Sequence, residues 1–142
     1  MSIKFTEKRY DFLKKEASNL LSMTKNNNPF YIAVLLKIDC IICKLNENLP
    51  SFLFDNVIYI NQALDDYSKR IVCAHELGHF ILHKQTNAFE LFYAGEENIT
   101  EFEANLFVKE IMPQVFAKQD INDFEYISDF NKYVESKIRF IK

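Results

Sequence analysis

Apolar positions recur along the chain in two rhythms, and the change between them divides it. Tyr10, Leu13, Ala17, Leu20 and Leu21 return at helical spacing and predict an amphipathic helix over about residues 7–25. Three consecutive asparagines, Asn26-Asn27-Asn28, break it. Asn28 is suited to cap a second helix and Pro29 to open it, because proline lacks the N–H that would go unpaired there. Phe30, Ala33 and Leu36 then fall along one face.

In the middle of the chain the runs become short and β-branched. Cys40-Ile41-Ile42-Cys43, Ser51-Phe52-Leu53-Phe54 and Val57-Ile58-Tyr59-Ile60-Asn61 predict three strands, the last two flanking Asp55-Asn56. That pair tolerates positive φ and suits a tight hairpin turn. The expectation is a small, largely antiparallel three-stranded sheet over about 39–61. Asp65 or Asp66 then opens a helix to about Lys84 that is apolar on most sides and so predicted to be buried. A further helix begins near Asn98 or Thr100 and runs to about Met112, where Pro113 disturbs it. Residues 120–140 also read as helical. The fold class is α+β, mainly helical, in one domain over 1–142 with a helical tail from about 116.

Composition narrows the function. The chain has 142 residues and only two glycines. A dinucleotide fingerprint needs three, and Gly78 and Gly95 are too far apart for a Walker A loop or a G-x-S-x-G elbow. A net charge of −3 gives no general pull toward nucleic acid or anionic membrane. No apolar run approaches a membrane span and the N-terminus lacks an apolar signal core, so a cytoplasmic protein with reduced cysteines is expected. Cys40-x-x-Cys43 has no second pair to complete a zinc ribbon and sits in a predicted strand, which favours core or edge-strand filling.

The decisive segment is His75-Glu76-Leu77-Gly78-His79, an H-E-x-x-H pattern inside the predicted buried helix. Residues four apart share a face and lie about 6 Å apart along the axis, so two imidazoles can converge on one ion. Glu76 is rotated about 100° away, near enough to take a proton from an attacking water without being a ligand. Composition alone would produce such a pattern in about one chain in two hundred. Burying these three side chains without a metal would leave polar groups in need of partners.

Two ligands rarely suffice for zinc, so a third is expected. His83 lies about 12 Å beyond His75 on the same helix and cannot join both others on one ion, which leaves it as a helix-end side chain. The third ligand is then a carboxylate of Thr100-Glu101-Phe102-Glu103-Ala104-Asn105. Ala104, Val108, Ile111 and Met112 form an apolar arc with Glu101 at its edge, while Glu103 and Glu110 fall opposite. Thr100 with Glu103 also fits a capping box. Glu101 is therefore chosen and Glu103 is the runner-up. Asn105, one turn after Glu101, is placed to orient a ligating histidine from outside the ligand set.

These residues resemble the ImmA/IrrE family of zinc metallopeptidases. The resemblance rests on His75-Glu76-Leu77-Gly78-His79 followed by Phe80-Ile81-Leu82-His83, then Glu101-x-x-Ala104-Asn105-x-Phe107, and finally Met112-Pro113. The upstream helices and small sheet also fit, so the likeness covers about residues 5–115. Val108 departs from the family's usual alanine and Glu110-Ile111 from its Leu-Leu; both are packing positions. The resemblance implies a zincin-like, gluzincin-type domain with one zinc ion on His75, His79 and Glu101, and Glu76 as general base. It also implies a partner: a separate helix-turn-helix repressor of a prophage, mobile element or stress response, cleaved or antagonised by the protein.

The reaction expected is peptide-bond hydrolysis, with the proton passing from water through Glu76 to the leaving amine. An oxyanion donor is needed, and Tyr93, Tyr59 or a backbone N–H are the candidates. An extended substrate could pair with an edge of the 51–61 sheet. The alternative is a metal-dependent binding module that sequesters a regulator without cutting it, against which the intact Glu76 argues. Direct DNA binding is weak on charge. Gly78 sits inside the motif, where glycine costs up to about 1 kcal/mol against alanine, and this predicts a close approach of another element or of substrate backbone beside His79. Gly95 belongs to the loop before the third-ligand helix and should matter less.

Overall fold

The computed structural model describes residues 7–83, 97–116, 121–124 and 126–141. Tyr93 and Gly95 lie outside the described residues. The elements run α1 (Glu7–Thr24), α2 (Pro29–Leu35), β1 (Asp39–Cys43), β2 (Ser51–Phe54), β3 (Val57–Asn61), α3 (Asp66–His83), α4 (Glu97–Ile111) and α5 (Ile127–Glu135), with short 3₁₀ turns at Pro113–Phe116 and Ile121–Asp123. The α+β class follows directly.

Local chemistry sets the boundaries. The Asn28 side chain accepts a hydrogen bond from the Phe30 N–H at 3.1 Å and Pro29 opens α2, as the sequence predicts. Asp65 caps α3 by accepting from the Ser68 N–H at 2.7 Å. Asp55 and Asn56 take φ of 50° and 62°, the left-handed pair of a two-residue hairpin between β2 and β3.

The sheet is mixed, which corrects the largely antiparallel expectation. Its order is β1-β3-β2, with β2 antiparallel to β3 and β1 parallel to it. The hairpin fixes β2 against one edge of β3, so β1 can pair only with the other. The chain crosses between them over 44–50, and the Asn61 amide holds the crossing by donating to the carbonyls of Asn46 (3.1 Å) and Leu49 (3.0 Å). Ile58 and Ile60 of β3 face inward and are fully buried. Cys40 faces the same side, its sulfur 4.0 Å from that of Cys73, which makes it core filling; all three cysteines are free.

Helix α3 is the centre of the molecule: Ile71, Cys73, Ala74 and Leu77 have no exposed surface, and α2, the sheet and α4 pack around it. Helix α4 carries a second buried face, where Phe102 meets Phe130 of α5 edge-on at 5.2 Å. The tail is helical over a shorter stretch than the 120–140 expected. Helix α5 ends at Glu135 and turns through Ser136 and Lys137, after which the chain runs along the start of α3. The Arg139 N–H donates to the Ser68 hydroxyl at 2.7 Å, the Asp65 N–H to the Arg139 carbonyl at 3.0 Å, and Phe140 bridges to Leu64. The Ser68 hydroxyl and the backbone of the segment just before α3 replace the partners a longer helix would supply. Among the described residues no helix is long and apolar enough to cross a membrane.

Candidate metal centre

The site begins with how closely two helices can approach. A Cβ added at Gly78 would lie 3.0 Å from the Phe107 Cβ and 3.1 and 3.2 Å from the Cα and carbonyl oxygen of Ala104. Even a methyl group there would need its neighbours on α4 to give by a few tenths of an ångström, and a larger side chain by more, so the glycine permits close packing of the two helices. The predicted close approach is thus by α4.

This contact brings Glu101 of α4 against both histidines of the H-E-x-x-H face. The Glu101 carboxylate places one oxygen 2.9 Å from Nε2 of His75 and the other 2.9 Å from Nε2 of His79. The two Nε2 atoms are 3.1 Å apart. Among the described residues this is the one group of His, Cys, Asp and Glu that could hold a metal ion. Ligand atoms about 2.0–2.1 Å from a tetrahedral ion such as zinc stand about 3.3 Å from one another, close to these separations. Three protein ligands also leave a fourth position open, and the Glu101 side chain is 43% exposed.

Hydrogen bonding behind the ligand atoms shows why the cluster suits a cation. Asn131 of α5 accepts from the Asn105 amide at 2.8 Å, so the Asn105 oxygen is the atom that faces His75, at 2.7 Å from Nδ1. His75 then donates from Nδ1, and its Nε2 lone pair points at Glu101. On the other histidine, Nδ1 of His79 lies 3.1 Å from Nδ1 of His83, whose Nε2 lies 2.9 Å from Glu103. The carboxylate can only accept, so His83 donates a hydrogen bond from Nε2–H; a neutral His83 then accepts at Nδ1 from the Nδ1–H of His79, which turns the Nε2 lone pair of His79 inward as well. Two lone pairs and a carboxylate therefore converge, an arrangement that asks for positive charge at its centre. The titration of the cluster agrees. Burial pulls the His75 imidazole down, but the Glu101 hydrogen bond and the Glu76 and Glu101 charges outweigh it and lift the group to about 9. Desolvation pushes the Glu101 carboxyl up, yet the two histidines hold it well below the usual carboxylate range.

Glu76 lies beside this triangle and outside it. It is 6% exposed and accepts a hydrogen bond from the Ser51 hydroxyl of β2 at 2.8 Å. Ser51 pairs with Ile60, so its side chain shares the sheet face that packs on α3. Tyr59, stacked on Phe52 at 4.7 Å, lies on the opposite face, and an oxyanion role from there does not fit. Tyr93 is outside the described residues.

The structure brings His75, His79, Glu101 and Asn105 together, and it corrects the reading of Glu103. Glu103 does not form a capping box with Thr100, because α4 starts at Glu97 and Thr100 is already inside the helix. Glu103, opposite the apolar arc of α4, meets α1 instead: its side chain is 14% exposed and accepts from the Arg9 guanidinium at 2.6 and 3.0 Å as well as from His83. His83 closes α3, the helix-end position expected of it, and its ring also backs His79. Ser51, Asn131 and Arg9 carry no motif signal. A helical wheel could have shown His83 one turn beyond His79, but not its partner on another helix.

The family model described as IrrE N-terminal-like domain, a peptidase family, matches residues 36–137. The chain belongs to that family. It is 28% identical over 129 residues to "Uncharacterized immunity region protein 2" of Bacillus phage phi105, covering 84% of this chain and 80% of the relative. It is 27% identical over 128 residues to "Metallopeptidase ImmA" of Bacillus subtilis (strain 168), covering 84% and 73%. No solved structure gives a significant match. The span matched by the IrrE-like model holds the histidines, Glu76, Glu101, Asn105 and Asn131. It extends past the motifs into α5, and it leaves α1, with Arg9, outside.

Proposed function

We propose that this IrrE-like chain is a zinc-dependent endopeptidase that hydrolyses a peptide bond in a partner regulatory protein, a separate helix-turn-helix repressor. The observation that carries the reading is the inward-facing triangle of His75, His79 and Glu101 with Glu76 beside it and uncommitted to it. His75, His79 and Glu101 would hold the zinc ion. When bound, the ion supplies Lewis-acid polarisation of the scissile carbonyl and of the attacking water.

The chain's own residues do the rest. The Ser51 hydroxyl fixes one oxygen of Glu76, which leaves the other to take the proton of the attacking water and to return it to the leaving amine. Asn105 and His83 keep the two imidazoles in the tautomer that offers Nε2. An extended substrate would add to β2, the sheet edge that carries Ser51 over Glu76, through main-chain hydrogen bonds. The choice of a repressor is supported by the family's motifs and by the phage immunity-region name of one relative.

The test incubates the zinc-loaded chain with purified helix-turn-helix repressors, beginning with any encoded in an adjacent reading frame, and weighs the products by mass spectrometry. Wild type should give two fragments. Glu76→Gln should bind zinc alike and cleave at least about 10²-fold more slowly. A repressor that stays full length but bound would replace the peptidase reading with sequestration.

A further inference from the structure

The support behind His79 leads out of the family-matched span. From His79 the contacts run to His83 (Nδ1 to Nδ1, 3.1 Å), to Glu103 (2.9 Å) and to the Arg9 guanidinium (2.6 and 3.0 Å). Arg9 belongs to α1, and the family model begins at residue 36. Its guanidinium is fixed twice, by the two-pronged bond to Glu103 and by the Phe12 ring, whose centroid is 5.4 Å away.

Each link constrains the next. The fork from Arg9 sets the position of the Glu103 carboxylate. That carboxylate accepts a hydrogen bond from the His83 Nε2–H, which in the neutral imidazole leaves Nδ1 of His83 as an acceptor. Nδ1 of His83 in turn accepts a hydrogen bond from the His79 Nδ1–H, and the ring of His79 presents Nε2 toward His75 and Glu101. We propose that Arg9, Glu103 and His83 are positioning residues for the metal ligand His79, so that α1 is a working part of the metal site. The inference rests on the metal-site reading above, and it assigns no contact with substrate to any of the three.

The test is zinc affinity of the full chain, measured by competition with a chromophoric chelator, with thermal unfolding of each metal-free variant recorded beside it. His83→Leu should weaken zinc binding about 10–100-fold, the usual effect of losing a ligand's outer partner. His83→Gln, whose side-chain oxygen can accept the same N–H, should stay nearer wild type. Arg9→Met should weaken binding less than His83→Leu, being two links further out, and Lys15→Met, on the exposed side of α1, should match wild type. If His83→Leu does not fold, Arg9→Met, at a side chain 37% exposed, decides the matter. Wild-type affinity in His83→Leu and Arg9→Met, whatever their unfolding temperatures, overturns the inference alone. A wild-type chain that takes up no zinc overturns the metal-site reading and this inference with it.

Discussion

The two histidines of the candidate centre face the same point but are held by different chemistry. His75 leans on a neutral, buried amide pair, Asn105 and Asn131, that joins α4 to α5. His79 leans on a charged chain, His83, Glu103 and Arg9, that joins α3, α4 and α1 and ends at a half-exposed guanidinium. Both fix the same tautomer. The amide pair does so without net charge, in a place where an unpaired polar group would be costly. The charged chain does so where solvent reaches one end, and it ties the centre to a helix that the family's model does not include. A metal centre thus needs the right donor turned inward, and unrelated outer partners can supply that.

Ways to break the comparison follow from its parts. Loss of a donor itself should be largest. His75→Ala or Glu101→Ala should reduce zinc affinity by more than the roughly hundredfold ceiling of an outer-partner change, measured by chelator competition. Next is the helix contact that brings the donors together. Gly78→Leu would drive a side chain into Phe107 and the Ala104 backbone, and should lower both thermal stability and zinc binding, with an overpacking cost of about 1–3 kcal/mol or more. Asn131→Ala strips the amide pair of its outer member, the one behind Asn105. It should destabilise the metal-free protein by about 1–3 kcal/mol, because the Asn105 amide is left buried and unpaired, and denaturant unfolding reads this directly.

The smallest effect separates the two supports by charge. Burial pushes the Glu103 carboxyl up, but the hydrogen bonds from His83 and Arg9 outweigh it and bring it down to about 2. A carboxyl held below its ordinary value of 4.5 stabilises the fold at pH above that value and loses the contribution as pH falls toward 2. The stability gap between wild type and Glu103→Gln should therefore narrow across this window. The gap between wild type and Asn131→Ala should not, since neither amide titrates there.

What was legible in the sequence follows from the range of each interaction. The caps of α2 and α3, the Asp55-Asn56 turn and the shared face of His75 and His79 depend on residues within a turn or two, and periodicity exposes them. Glu101 was reachable because its helix has one apolar arc and the carboxylate sits at the edge. The direction of β1 was not legible, because it depends on how the 44–50 crossing runs and the strand pattern is the same either way. Glu103 was misread because Thr100 and Glu103 imitate a capping box, and only the earlier start of α4 removes it. Arg9 and Asn131 stand far from the motif in sequence, so only the packing of α1 and α5 against α4 shows their part.

The central claim is that His75, His79 and Glu101 form one zinc centre. Anomalous diffraction at the zinc edge from crystals of the zinc-loaded protein tests it most directly. The account predicts a single ion about 2.0–2.1 Å from Nε2 of both histidines and within similar reach of a Glu101 oxygen. An ion on Glu103 or on Cys40 and Cys43 instead, or none at the triangle, would contradict it.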